Sequence, residues 1–292
     1  MSATSSRSWH AGAGLLVVWC ALFMMVRSEY AQEAPEAQTQ KLPYGIDRAN
    51  VPDAVAKVKS GQYLAVHVDL IARAHAEEAI PALKEQFGRV QDSLLKAKIA
   101  AALVRLGDKD DSYWDFLVKE AKVALDSDAP SFAAYDSEGK ALGGPSQEFE
   151  TWLKTHNPSE DIDSAAGDSS YMLPALVTLL AWSEDPRSIP YLRQGLSSPN
   201  YMIQIAAANG LAELGDENSI PLIISACQKA PKEVAGVIAE SLVYFDNDAA
   251  QKAVDRYVPK DTAKIDRDDK ASGKKPKPLT APLYDTSASR QP

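Results

Sequence analysis

Hydrophobic residues recur at helical spacing through most of the chain, from Val51 to Val258. Three apolar stretches open on the same phrase, an isoleucine followed by a proline, at Ile80, Ile189 and Ile220. Each phrase is followed about 22 residues later by a closing unit. The closing units are Leu103–Asp108, Leu211–Asp216 and Leu242–Asn247. Because the last two phrases start 31 residues apart, a spacing typical of stacked helical hairpins, the pattern predicts an all-α solenoid.

The predicted solenoid is a superhelix of about five helical hairpins that spans residues 50–258 and contains no β-sheet. The hairpins are expected at 51–75, 80–106, 111–182, 188–214 and 219–245. Proline in the second place of each phrase suits the first turn of a helix, where the backbone N–H has no intrahelical partner. Gly107 and Gly215 are placed to end the second helices of their hairpins.

A long insert, residues 127–169, interrupts the third hairpin and is rich in turn-forming residues. A connection of this length in a compact domain is usually functional or disordered. A short helix is expected within it at Gln147–His156. The aromatic residues of this unit are Trp114, Phe116, Phe132, Tyr135, Phe149 and Trp152. They indicate either a satellite core beneath the insert or a lid over a binding groove, with Trp114, Tyr135 and Trp152 as ligand contacts.

The two ends of the chain differ from the helical body. An uncharged apolar run, Ala11–Val26, predicts that residues 1–31 are a signal peptide, because the run is shorter than the about 20 residues that span a bilayer. The protein is therefore expected to be exported, periplasmic or secreted. The alternative is an uncleaved segment that anchors it to a membrane. Residues 32–49 are expected to be a flexible leader, and the Lys/Pro-rich residues 259–292 a disordered tail.

The charge distribution excludes one class of partner. The net charge is −9, yet residues 259–292 carry +3 and residues 1–31 carry +1, so the body between them carries −13. Binding to a nucleic acid backbone calls for a surface of Lys and Arg. The acidic body therefore argues against nucleic acid as the partner.

The sequence carries no motif for a metal, a phosphate loop or a nucleophile elbow, and no cofactor is predicted. His67 and His75 are eight residues apart on one predicted helix, which is too far for joint metal ligation without other groups. Cys227 falls on the apolar row that starts at Ile220, so we expect a small buried hydrophobe rather than a nucleophile.

Stacking the hairpins aligns polar residues near the ends of their second helices. These residues form what we call the polar row: Asp69, Arg73, Arg105, Asn209, Glu213, Glu240 and Tyr244. In an α-solenoid the second helices line the concave surface, so the polar row is the candidate binding site for a partner, with Tyr244 as an aromatic anchor. The alternative is a solvated face with an Asp69–Arg73 pair.

These phrases resemble a known repeat. The segment Asp185–Leu192, which leads into Ala206–Asp216, is similar to the HEAT-like repeats first described in phycobilisome lyases. The match is specific over residues 170–247 and looser over 51–108, and the insert has no counterpart in it. The resemblance implies an α-solenoid that is used for binding.

The sequence therefore favours an exported, non-enzymatic scaffold whose partner is a protein or peptide. The alternative is an enzyme, either lyase-like or a hydrolase that uses carboxylates of the insert. A membrane is expected as a partner only if the N-terminal segment stays uncleaved.

Overall fold

The computed structural model describes residues 48–167 and 172–274, all within one compact unit. The predicted signal peptide and nearly all of the predicted leader lie outside the described residues, as does the end of the predicted tail from residue 275. No helix within the described ranges is long and apolar enough to cross a membrane.

Fourteen α-helices make up most of the described residues. They are α1 Val51–Ser60, α2 Ala65–Arg73, α3 Ile80–Arg89, α4 Ser93–Arg105, α5 Ser112–Leu125, α6 Gln147–His156, α7 Ile162–Gly167, α8 Leu173–Trp182, α9 Ile189–Gly195, α10 Tyr201–Glu213, α11 Ile220–Lys229, α12 Lys232–Glu240, α13 Asp248–Tyr257 and α14 Lys260–Ala271. Each of the three Ile-Pro phrases begins a helix, so the predicted helix starts are confirmed. Gly107 and Gly215 follow their helices with positive φ angles of 80° and 66°, as helix ends require.

The helices pack in a continuous row. Helix α4 contacts α2 on one side and α8 on the other, α8 contacts α10, and α10 contacts α12. Each helix of this row also packs against a preceding helix, in the pairs α1–α2, α3–α4, α5–α8, α9–α10 and α11–α12. One hydrophobic core runs along the row from Val51 to Ala263. The structure is thus consistent with the predicted all-α class.

Small residues bring the helices of the row close together. Ala206, Ala207 and Ala208 are buried on α10, where short side chains let neighbouring backbones approach. A Cβ atom added at Gly210 would lie 2.7 Å from the Cβ of Ala181, which is less than real contacts allow. Close packing of α10 on α8 therefore requires glycine at this position.

The insert contains a β-hairpin that the sequence analysis missed. Strand β1, Ala133–Tyr135, pairs antiparallel with β2, Ala141–Pro145, so the expectation of no β-sheet is wrong. Both strands are short, β2 contains two glycines, and neither strand alternates buried with exposed residues. Alternation is the pattern that predicts a strand from sequence.

Helix α6 has the predicted bounds, and its apolar side chains form a cluster separate from the main core. The buried members are Phe149, Leu153 and Ala165. Phe132 and Trp152 pack against them, with Phe132 in edge-to-face contact with Phe149 at 5.4 Å between ring centroids. This packing is what the satellite-core interpretation expects.

Part of the predicted disordered tail is a helix. Residues 260–271 form α14, which buries Ala263 and Asp266, so the expectation of disorder from residue 259 is wrong for this stretch. Its polar side chains bind the preceding helix and loop: Arg267 pairs with Asp255 at 2.8 Å and Lys270 with Asp246 at 2.5 Å. Low hydrophobicity predicted disorder because such a segment lacks a core of its own, but here it packs on an existing one.

Candidate functional site

The tip of the β-hairpin is attached to the start of α12. The backbone N–H of Glu233 donates to the carbonyl of Gly139 at 3.1 Å, and the N–H of Ala141 donates to the Glu233 carboxylate at 3.0 Å. Gly139 has a φ of +77°, and a Cβ added there would lie 2.3 Å from the backbone nitrogen of Lys232. Contact between the tip and α12 therefore depends on glycine.

The base of the hairpin is attached to α10. The backbone N–H of Tyr201, the first residue of α10, donates to the Ser131 hydroxyl at 2.5 Å. The Ser146 hydroxyl donates to the Ser131 carbonyl at 3.0 Å and accepts from the Phe149 N–H at 3.1 Å, which caps α6. The hairpin is thus held at two points, on α10 and on α12.

Between these two attachments lies a cleft of about 1020 Å³, here called the hairpin cleft. Strand β1 and the turn after it line the cleft, together with α10 and the α11–α12 connection. The lining residues are Pro130, Ser131, Ala133–Gly139, Ser146–Glu148, Pro199, Tyr201, Gln204 and Lys229–Lys232. Its size is at the upper end of the range of ligand pockets.

Two tyrosines face each other in the hairpin cleft. The rings of Tyr135 and Tyr201 meet edge to face, with centroids 5.9 Å apart. Burial raises the pKa of both phenols above the usual value. Below them, Gln204 donates from Nε2 to the Ser198 carbonyl at 2.7 Å, while its buried Oε1 has no hydrogen-bond partner among the described residues. The cleft therefore offers aromatic surface.

The hairpin cleft is lined by basic and acidic residues from different elements. Lys229 is the last residue of α11 and Lys232 is the first residue of α12. The acidic residues lie on the hairpin and at the start of α6. Of these, Asp136 is engaged within the turn, because its Oδ1 accepts from the backbone N–H groups of Glu138 and Lys140, both at 2.9 Å. The Asp136 carboxylate thus stabilises the turn of the hairpin.

Two residues of the polar row, Asp69 and Asn209, lie inside the protein. Asp69 is 1% exposed and forms an ion pair at 2.9 Å with Lys98, which is also 1% exposed. Burial lowers the pKa of Lys98, against the opposing effect of Asp69. Asn209 is 2% exposed on α10. The expectation of a solvent-facing row is therefore wrong for Asp69 and Asn209, because the helix face that carries them packs against neighbouring helices.

Arg105 belongs to the same internal network. It donates to the Trp182 carbonyl at 2.9 Å and pairs with Glu184 at 2.9 Å, while its guanidinium lies 5.4 Å from the centre of the Trp182 ring. Burial lowers the pKa of Arg105, and the charges of Glu184 and Glu213 oppose this shift. The network joins α2, α4 and α10 to the end of α8. Asp69 and Arg105 of the polar row thus take part in contacts between helices.

The remaining row residues are half-buried: Arg73, Glu213, Glu240 and Tyr244. Tyr244 ends a 3₁₀ turn after α12 and so does not continue the helical face that the sequence predicted. Sequence reasoning missed Lys98, although a lone lysine inside the apolar run Ala97–Leu103 is a signal for a buried charged partner. It also missed Trp182 and Glu184, for which the sequence carries no comparable signal.

The other two predicted insert aromatics do not line the hairpin cleft. Trp114 is buried on α5, with the Arg187 guanidinium 4.5 Å from its ring centre. Trp152 stacks on His156 with centroids 4.9 Å apart and donates to Asp128 at 2.7 Å. Of the three aromatic ligand contacts expected, only Tyr135 lines the cleft. No group of three or more His, Cys, Asp or Glu in the described ranges is arranged to hold a metal ion.

Residues 165–256 match the family model for HEAT repeats. This part of the chain is similar to HEAT repeats. It extends from the end of the insert through α13 and includes both helices that hold the hairpin. No curated protein and no solved structure gives a significant match to the chain. The HEAT-repeat resemblance is thus confirmed over this segment, whereas the phycobilisome-lyase type of the repeat stays a prediction.

Proposed function

We propose that the protein is an exported, non-enzymatic HEAT-repeat scaffold that binds a protein or peptide partner in the hairpin cleft. HEAT repeats commonly serve protein interactions, and a repeat array presents an extended surface for them. The observation that carries the proposal is the cleft itself. An insert attached at two points leaves open a space lined by two tyrosines and two lysines.

The finer architecture is part of this proposal. The pairs α1–α2, α3–α4, α5–α8, α9–α10 and α11–α12 are the five hairpins of one solenoid, with the insert between the two helices of the third. Support comes from the unbroken row of contacts from α2 to α12 and from the shared core. The phycobilisome-lyase type of the repeats rests on the phrases at 185–192 and 206–216 alone.

Partner binding is tested by capture from the exported fraction of the source cells on the immobilised full chain. Tyr135→Ala removes aromatic surface from the cleft, whereas Leu142→Ala changes an exposed residue of β2 outside the lining. Loss of an interface anchor weakens binding by about tenfold or more. We expect a protein that Leu142→Ala retains and Tyr135→Ala loses. Equal retention by both variants would show that the cleft is not the site.

Export is tested separately by locating the protein in cell fractions and determining its N-terminal residue by mass spectrometry. A mature chain that starts shortly after residue 28 or 31, found outside the cytoplasm, is the expected result. An intact N-terminus in the membrane fraction would support the anchored alternative.

A further inference from the structure

The hydrogen bonds of the β-hairpin determine which way the backbone groups of β1 point. The N–H of Ser146 donates to the Phe132 carbonyl at 2.6 Å, and the N–H of Asp136 donates to the Lys140 carbonyl at 2.9 Å. In an antiparallel pair, positions that exchange hydrogen bonds alternate with positions that do not. The backbone groups of Phe132 and Asp136 thus face β2, and the alternation gives Ala134 the same orientation.

Ala133 and Tyr135 lie between these positions and have the opposite orientation. Ala133 stands opposite Pro145, which has no N–H to donate. The N–H and C=O groups of Ala133 and Tyr135 therefore point away from β2, along the edge of the sheet. Since β1 lines the hairpin cleft, this edge lies beside the cleft, where both residues are only half-buried.

The edge of β2 is protected in a way that the edge of β1 is not. The Glu233 carboxylate accepts from the Ala141 N–H. Gly143 and Gly144 have φ angles of +72° and +85°, in the region where the register of the pair shifts. Such irregularities prevent a further strand from pairing with an edge. The hairpin is accordingly open to a third strand on one edge, the edge that lines the cleft.

The other residues that line the hairpin cleft indicate which peptide would fit beside β1. A strand added to β1 lies about 4.8 Å from it, and its side chains alternate between the two faces of the sheet. A side chain beside Tyr135 would meet the edge of the tyrosine pair, which favours an aromatic or aliphatic residue. Lys229 and Lys232 favour an acidic residue farther along the peptide.

We infer that the hairpin cleft takes an extended segment of a partner protein, whose main chain pairs with the free edge of β1 and which carries an apolar residue and an acidic residue as described. This inference rests on the proposed function, because it concerns the same cleft. Main-chain pairing supplies the affinity, and the tyrosines and lysines supply the selectivity.

The test begins with a displayed library of 12-residue peptides selected on the full chain. A selected peptide is synthesised, and its affinity is measured by fluorescence anisotropy after methylation of one backbone nitrogen at a time. Strand pairing predicts that methylation of alternate residues weakens binding about tenfold, whereas methylation of the residues between them changes it less than about twofold. This scan uses the unaltered protein, so it does not depend on the folding of any variant.

A matched pair of variants checks the protein side. Ala133→Pro removes one outward N–H from β1, whereas Ala133→Val changes the side chain and keeps that N–H. We expect about tenfold weaker peptide binding for Ala133→Pro and a change below about twofold for Ala133→Val. Equal binding to the two variants would overturn the pairing.

Other outcomes separate this inference from the proposed function. Methylation losses spaced three and four residues apart would show a helical ligand and overturn strand pairing, while the scaffold proposal stands if Tyr135→Ala still weakens the partner. Binding that strengthens about tenfold on deletion of residues 275–292 would make the chain's own tail the occupant. If sedimentation showed a dimer that Ala133→Pro abolishes, the occupant of the cleft would be a second copy of the chain. If Tyr135→Ala leaves the captured partner unaffected and no peptide competes with it, both proposals fail.

Discussion

Arg193 and Asp216 join α9 to the turn that follows α10. The Arg193 Nη2 atom lies 2.8 Å from both carboxylate oxygens of Asp216, and its Nε donates to the Ser219 hydroxyl at 2.9 Å. Lys84 on α3 and Asp108 after α4 make a corresponding pair at 2.8 Å. In each case the basic residue is the fifth of an Ile-Pro phrase and the aspartate ends the closing unit. Two of the three Ile-Pro phrases thus carry the same ion pair.

Removing the guanidinium of this pair should destabilise the domain. Arg193→Ala leaves the nearly buried Asp216 carboxylate without its main partner, and we expect a loss of about 2–3 kcal/mol in the free energy of unfolding. Arg89→Ala is the control, because Arg89 and Glu85 form an exposed pair on α3 whose loss should cost less than about 0.5 kcal/mol. Urea unfolding measures both. Similar losses for the two variants would contradict the assignment.

The Asp69–Lys98 pair should behave as a buried unit. Lys98→Met leaves an unpaired buried carboxylate and should lower the free energy of unfolding by about 3–5 kcal/mol. Asp69→Leu leaves an unpaired buried ammonium group, and we expect a similar loss. The double variant should cost clearly less than the sum, because no buried charge is left unpaired. Chemical denaturation of all four proteins gives the coupling energy. Additive losses would show that the two charges do not depend on each other.

Gly139 should control the attachment of the hairpin. Both Gly139→Ala and Gly143→Ala place a side chain at positive φ, which costs about 1 kcal/mol. A Cβ atom at residue 139 would collide with α12, whereas a Cβ atom at residue 143 would have no atom within 4 Å. We therefore expect faster hydrogen exchange at the Ala141 and Glu233 amides in Gly139→Ala and little change in Gly143→Ala. Unchanged exchange in both would show that the tip does not need this contact.

Two glycine-to-alanine substitutions should have opposite effects on the stability of the protein. Gly210→Ala forces a methyl group against Ala181 in the close contact between α10 and α8, and we expect a loss of about 1–3 kcal/mol. Gly88→Ala, on α3, meets nothing within 4 Å and should be neutral or stabilise the protein by up to about 1 kcal/mol. Thermal unfolding gives the comparison. A loss of stability in both variants would mean that helix packing does not set the difference.

Cys227 should be unreactive in the folded protein. It is buried on α11, and burial raises the pKa of its thiol to about 12, so the thiolate is scarce at pH 8. Alkylation by iodoacetamide, followed on the Cys227 peptide by mass spectrometry, should be at least about 100-fold slower in buffer than in urea. Because the thiol keeps its proton in the folded state, its contribution to stability should decrease as the pH rises from about 9 towards about 12. Equal rates in buffer and urea would contradict the burial.

Local sequence patterns predicted the helical elements well. The Ile-Pro phrases start helices because proline has a preset φ and lacks an N–H that the first turn does not use. Gln147–His156 was found from its own apolar face, and the burial of Cys227 from the row that it shares with Ile220. Each of these depends on residues within about two turns of one another, which is the range that a linear pattern contains.

Features that depend on distant partners were missed. The hairpin β1–β2 has weak strand character, and its tip is held by Glu233, 94 residues from Gly139 along the chain. The sequence of α14 predicted disorder because the core on which this helix packs belongs to other helices. In both cases the stabilising contacts come from outside the segment, so its own composition does not reveal them.

The sequence by itself determined that residues 80–106 and 189–245 form repeated helical pairs, because periodicity, proline and glycine act locally. It also identified the residues of the polar row but not their surroundings. Only the tertiary structure decided that Asp69 and Asn209 are buried and that the open space lies at Tyr135 instead. The physical reason is that a periodic pattern specifies which residues share a helix face, while the helices packed against that face decide whether water reaches it.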